Sequence, residues 1–133
     1  MSTIVLGYNA TEQGRAALEE AIRQAGFRSS RVVVVSSHHG GARHTGDREV
    51  ELQDELTRVR ARLDETGLAF TIRPLVRGMG PAEDVVAVAQ ETAAELVVIG
   101  LRRRSPVGKL IIGSRAQRIL LKAPCPVLAV KAG

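Results

Sequence analysis

Four consecutive valines, Val32 to Val35, constrain this chain more than any other stretch. A β-branched run without alternation reads as a strand covered on both faces, because a strand with one wet face alternates apolar and polar residues. Strands covered on both sides belong to parallel sheets flanked by helices, so the chain should return to the sheet through helical crossovers. Residues 3–7 (TIVLG), 69–76 (AFTIRPLV), 96–99 (LVVI) and 126–130 (PVLAV) have strand length and strand composition. Pro74 puts the 69–76 strand at or near a sheet edge, since proline cannot donate to a ladder.

Helical spacing fills the gaps. Leu18, Ala21, Ile22 and Ala25 define a helix over 11–26, with Thr11 capping its start, Gly14 inside and Gly26 ending it. Leu52, Leu56, Val59 and Leu63 recur at 4-3-4 spacing and predict an amphipathic helix over 48–65, stopped by Gly67. After the turn Gly78-Met-Gly80, Pro81 suits a first helical position, Glu83 and Asp84 suit the first turn, and Val85, Val86, Ala89 and Ala93 form the stripe. Ala116, Ile119 and Leu120 mark a short last helix. The fold class is therefore α/β: a doubly wound, Rossmann-like, five-stranded parallel sheet with helices on both faces and right-handed crossovers. At 133 residues it forms one domain, 1–133.

Composition narrows the function classes. No apolar run reaches the length of a membrane span, and Ile4 to Leu6 is too short for the core of a signal peptide, so the expected compartment is cytoplasmic. With one tyrosine, two phenylalanines and no tryptophan, the chain lacks the stacking platforms of a single-stranded nucleic-acid binder. No recognition-helix motif appears either, which makes nucleic acid an unlikely partner. The net charge of +5 is uneven: all fourteen acids lie in residues 1–95, leaving residues 96–133 with eight Lys/Arg and no acid. That basic segment could attract a small polyanion or an acidic surface.

Its centre is "GLRRRSPVGKLIIGS", residues 100–114. In a doubly wound sheet ligands bind beyond the C-terminal strand ends, where the strand order reverses, and this loop follows the fourth strand. Gly113 and Ser114 open the last helix, offering free N–H groups and a positive dipole end to an anion. Arg102, Arg103, Arg104, Lys109 and Arg115 add charge, and a guanidinium fork suits phosphate oxygens. The competing reading is a solvated basic loop. Standard phosphate motifs do not decide between the two. A Walker A loop fails because Lys109 is followed by Leu110 and Arg103 holds the place of the first glycine, and a dinucleotide fingerprint fails because Glu83 stands where Gly78-Met-Gly80 needs a third glycine.

The segment from Leu96 through "GLRRRSPVGKLIIGSRAQRILLKAPCPVLAVK" (100–131) closely resembles the C-terminal half of the universal stress protein family, whose ATP-binding members carry Gly-x2-Gly-x9-Gly-Ser/Thr there. "IVLGYNATEQGRAAL" (4–18) resembles the family's first strand and helix, and "RGMGPAEDVVAVAQETAAELVVIG" (77–100) its third helix and fourth strand. The resemblance covers nearly the whole chain and is weakest over 38–50. It implies strand order 3-2-1-4-5, a homodimer through strand 126–131, and adenine nucleotide (ATP, ADP or AMP, with Mg²⁺ if any metal) held between the loop after the first strand and residues 100–114. On this resemblance the site comprises Gly7, Tyr8, Asn9, Ser37, Ile99 and Gly100, together with Arg102, Arg103, Gly113, Ser114 and Arg115.

Two positions depart from the family pattern. Arg103 replaces the second motif glycine, and Asn9 stands where the family has an acidic residue, so it can hydrogen-bond a ribose hydroxyl but brings no charge for Mg²⁺. Weak metal dependence is expected. No carboxylate lies in the two crevice loops and Ser114 has no triad partner nearby in sequence, so catalysis is not expected beyond slow hydrolysis; Ser114 reads as a helix N-cap that also donates to phosphate. His38, His39, His44 and Asp47 could ligate a metal or close over a nucleotide, but the intervening glycines provide no rigid ligand pair, and no metal site is expected. Cys125 reads as a small apolar residue rather than a redox sensor. Two functions remain: a nucleotide-binding regulatory module, favoured by Gly100, Gly113 and Ser114, or a nucleotide-independent homodimeric scaffold whose arginine loop meets a protein or other polyanion, favoured by Asn9 and Arg103.

Overall fold

The computed structural model describes residues 1–38, 46–76, 80–102 and 112–132, with no side-chain description at 37, 38, 46–49, 75 and 76. Five strands alternate with four helices: β1 (Thr3–Gly7), α1 (Glu12–Arg28), β2 (Arg31–His38), α2 (Gly46–Thr66), β3 (Phe70–Val76), α3 (Pro81–Glu91), β4 (Leu96–Leu101), α4 (Ser114–Lys122) and β5 (Val127–Lys131). The strands form one sheet in the order β3-β2-β1-β4-β5, and every neighbouring pair is parallel. This is the expected order, and the sense of winding reverses between β1 and β4.

The two-residue period of the strands divides the core. Ile4, Leu6, Val32, Val34 and Val98 face α1 and α2, where they meet Ala17, Leu18, Ala21, Val59 and Leu63. Val5, Val33, Val35, Val97 and Ile99 face α3 and α4. The valine run is therefore buried alternately on the two sides, which is why it carries no polar interruption. Pro74 lies on the edge strand β3 opposite Ser36, as its missing N–H requires.

Several local expectations differ from the fold. Helix α1 runs through Gly26 to Arg28 and closes on Ser29 in the left-handed region (φ 52°), whose N–H donates to the Ala25 carbonyl. Serine ends the helix because the chain must turn there into β2, with Ser30 buried behind it. Ala93 is not part of the α3 stripe. The helix stops at Glu91, Ala93 adopts φ 50°, and Ala82, Val88 and Ala94 complete the buried face. Leu120 is exposed, because α4 lies at the margin of the sheet and buries only Ile119. Leu52 is only half-buried. Cys125 packs half-buried against the α3/α4 core, and burial pushes its thiol up, which disfavours the reactive thiolate.

Two glycines set how α1 docks. Thr11 caps the helix, its Oγ1 accepting from the Gly14 N–H at 3.0 Å, and a Cβ on Gly14 would lie 1.9 Å from the Asn9 carbonyl oxygen. A Cβ on Gly100 would lie 2.4 Å from the Gln13 carbonyl oxygen. Backbone meets backbone at both points, so no side chain can move aside.

Gly14→Ala should lower stability by about 2 to 3 kcal/mol through overpacking. Gly26→Ala, with nothing within 4 Å of its would-be Cβ and helical neighbours on both sides, should raise it by about 0.5 to 1 kcal/mol. Urea unfolding of the two variants reads both values, and equal effects would show that α1 does not dock as described.

Candidate functional site

A crevice of about 530 Å³, counted out to its solvent-open mouth, lies beyond the C-terminal ends of β1 and β4. It sits at the point where the strand order reverses, the place such sheets reserve for ligands. Gly7, Tyr8 and Asn9 form one wall and Ile99 and Gly100 the other, while Val35 reaches in from β2. Pro81 and Val85 of α3, with Arg115, Ala116 and Ile119 of α4, close the remaining side. Gly7 gives the crevice depth: a Cβ there would come within 3.1 Å of Val85 Cγ2 and 3.3 Å of Ile99 Cγ2.

Of the residues expected at the site, Gly7, Tyr8, Asn9, Ile99, Gly100 and Arg115 line this crevice. Gly113 and Ser114 are exposed at the start of α4, one turn from Ala116. Arg102 is exposed just past β4. Arg103, Arg104 and Lys109 lie outside the described residues, as do His39 and His44; the side chains of Ser37, His38 and Asp47 do too. The α3 wall was missed from sequence. Its signal is Val85, one of the apolar residues assigned to the core stripe, which faces the end of β1 across Gly7.

The role of Ser114 is corrected, and three other positions gain detail. Gly100 makes room for the α1 backbone and also lines the crevice. Ser114 is the first helical residue; Gly113 occupies the cap position with no side-chain hydrogen bond. Gly113 itself has an ordinary φ of −66° and open space around its would-be Cβ, so the described fold does not demand glycine there. Asn9 Oδ1 accepts from Thr11 Oγ1, which leaves its amide NH₂ as the side-chain group still to be used.

The charges around the crevice separate by partner. Arg118 is tied to Glu83 at 2.8 Å. Among the described residues, Arg102 and Arg115 have neither a carboxylate nor a ring partner, and Arg115 borders the crevice at the N-terminus of α4. No described lining residue carries a carboxylate. The arrangement combines an apolar wall from Val35, Val85 and Ile99 with a cationic end built from a helix N-terminus and the Arg115 guanidinium.

Tyr8 joins this crevice to a second cavity, of about 480 Å³, between α1 and α2. Its ring is buried and its hydroxyl donates to Glu55 Oε1 on α2. Glu55 is also buried, and Arg58 at 3.0 Å and Arg15 at 3.5 Å balance its charge. The Tyr8 hydrogen bond is the largest influence holding the Glu55 carboxyl below the usual range. Burial first, and then the bond to Glu55, push the Tyr8 hydroxyl well above its ordinary value.

The model of the universal stress protein family matches residues 1–131. The universal stress protein of Mycolicibacterium smegmatis is 43% identical over 128 residues, 96% of each chain. A universal stress protein of Archaeoglobus fulgidus superposes with a TM-score of 0.83 at 35% identity over 98% of both chains. The Archaeoglobus fulgidus universal stress protein solved in complex with dAMP gives 0.77 at 30% identity, again over 98% of both.

Tyr8 is the chain's one tyrosine, so phenolate absorbance reads it alone. Its folded value is raised, so its contribution to stability is complete below the unfolded value near 10 and is lost as pH climbs beyond it. The Glu55 contribution runs the other way, present above the unfolded carboxylate value and lost as acid reaches the lower folded one. On alkaline titration, phenolate should appear only together with unfolding seen by circular dichroism. Ionisation near pH 10 in a folded chain would show that the hydroxyl is not held.

Proposed function

The chain belongs to the universal stress protein family, and on that footing we propose that it is an adenine-nucleotide-binding regulatory module of the stress response, holding its ligand in the crevice at the β1/β4 switch point. The observation that carries this reading is the Arg115 guanidinium at the N-terminus of α4, which has no carboxylate partner among the described residues and is set beside an apolar wall. Phosphates suit the cationic end, where Gly113 and Ser114 present backbone N–H groups. A purine suits the wall of Val35, Val85 and Ile99. Gly113 supports the same assignment, since a glycine that the described fold does not need is one that an approaching phosphate would use. That an Archaeoglobus fulgidus relative was solved in complex with dAMP supports the reading.

The function is binding rather than turnover. With no carboxylate on the described lining and Asn9 in place of an acid, neither a general base nor a Mg²⁺ anchor is offered there, so binding should depend little on the metal. The half-buried edge strand β5 is the surface through which two copies would pair in the cytoplasm. A scaffold reading draws on a different observation: Ile112, Leu120 and Leu121 are exposed along a segment that holds no acid.

Calorimetry with ATP, ADP and AMP, with and without Mg²⁺, should give micromolar or tighter binding that changes little with the metal. Gly113→Asp combined with Ser114→Ala puts a negative charge where phosphate should lie and should weaken that affinity about tenfold or more while the fold is kept. Unchanged affinity would reject the crevice as the nucleotide site, and a folded protein that binds none of the three would leave the scaffold reading.

A further inference from the structure

We propose that Glu55 is a positioning residue for the crevice, acting through the Tyr8 hydroxyl and never touching the ligand itself; the inference rests on the nucleotide reading above. Tyr8 stands between Gly7 and Asn9, so the loop that forms one wall of the crevice passes through its backbone. Its N–H donates to the Val35 carbonyl at 2.9 Å, which secures the inner end of that loop to β2. At the outer end Asn9 is held by Thr11. The Tyr8 side chain leaves the crevice on the other face of the sheet, and Glu55 is the group that fixes its tip.

Glu55 is expensive to keep there. A buried carboxylate is tolerated only when paired and hydrogen-bonded. Arg58, one turn along α2, and Arg15, from α1, supply the pairing. An apolar residue at 55 would have covered Leu18 and Val59 without any charge. What the carboxylate adds is direction, because a charged acceptor holds a phenol more strongly and in a narrower geometry than a neutral one. The loop 7–9 is thereby set before ligand arrives, and binding is spared the ordering of that wall.

The experiment uses the full chain, ATP as the probe, and four variants: Tyr8→Phe, Glu55→Ala, Glu55→Gln and the Tyr8→Phe/Glu55→Ala double. Tyr8→Phe and Glu55→Ala should each weaken ATP binding about fivefold, the equivalent of one hydrogen bond of about 1 kcal/mol. The double variant should be no weaker than either single one, since both remove the same link. Glu55→Gln, whose amide oxygen still accepts but carries no charge, should recover part of the affinity. Emission from the single tyrosine gives a readout that a merely structural role would not move: it should change when ATP binds the native protein and lose that response in Glu55→Ala.

Native affinity in variants that melt like the parent would overturn the proposal, as would losses that add in the double variant. Where Glu55→Ala does not fold, Tyr8→Phe, which keeps the buried ring, decides the matter alone. A native protein that binds no ATP would overturn the nucleotide reading and this inference with it, whereas equal binding by parent and variants would overturn this inference only.

Discussion

The structure depends on a close approach between backbones. The N-terminus of α1 is pressed against the end of β4 at Gly100 and against its own entry loop at Gly14, with carbonyl oxygens where side chains would otherwise be. Those two contacts fix where β1 ends, how the chain turns through Asn9 into the helix, and how far β4 extends before the basic loop begins. Both long walls of the crevice follow from them. Overpacking at such points cannot be relieved by a rotamer change, so the geometry is more rigid than apolar packing alone would give.

The same contacts separate two glycines of one motif. The resemblance pairs Gly100 and Gly113 as parts of one phosphate-binding pattern, but their physical situations differ. A Cβ on Gly100 would strike the α1 backbone, whereas Gly113 has ordinary dihedrals and open space among the described residues. A pattern read from sequence merges both demands, because each is met by the same absent side chain. The partners of the arginines sort in a similar way. Arg15, Arg58, Arg62 and Arg73 pair with acids within residues 1–95, and Arg118 reaches back to Glu83, so much of the basic charge is used in holding helices together.

The architecture was legible because its signals are redundant. Strand composition, alternation with helical periods, the cap at Thr11 and the proline at 74 all agreed, and the sheet order followed from the resemblance. Helix ends were read less well. Gly26 looked like a stop, yet the left-handed turn fell on Ser29, because what ends α1 is the geometry of entry into β2 and not the residue with the greatest freedom. The crevice was half legible. Residues next to the strand ends could be placed from topology alone, whereas Val35, Val85 and Ile119 were indistinguishable from core, since the same apolar stripe serves the interior and the wall. Tyr8 was assigned to the site without any hint that its hydroxyl works on the opposite face, because its partner Glu55 lies 47 residues away on α2.

That separation suggests why a chain so poor in aromatics has its one tyrosine at this position. The two faces of a doubly wound sheet share no side chains along the strands, where alternate residues point to one side or the other. Only beyond a strand end can one residue border both, and Tyr8 is the first residue past β1. A shorter side chain would leave the buried carboxylate of Glu55 with its arginines alone, and a phenylalanine would fill the space without offering a donor. Tyrosine supplies apolar bulk for the α1/α2 core and a hydroxyl for α2 while its backbone forms crevice wall. The two halves of the sheet's surroundings are in this way joined at a strand end that borders the crevice.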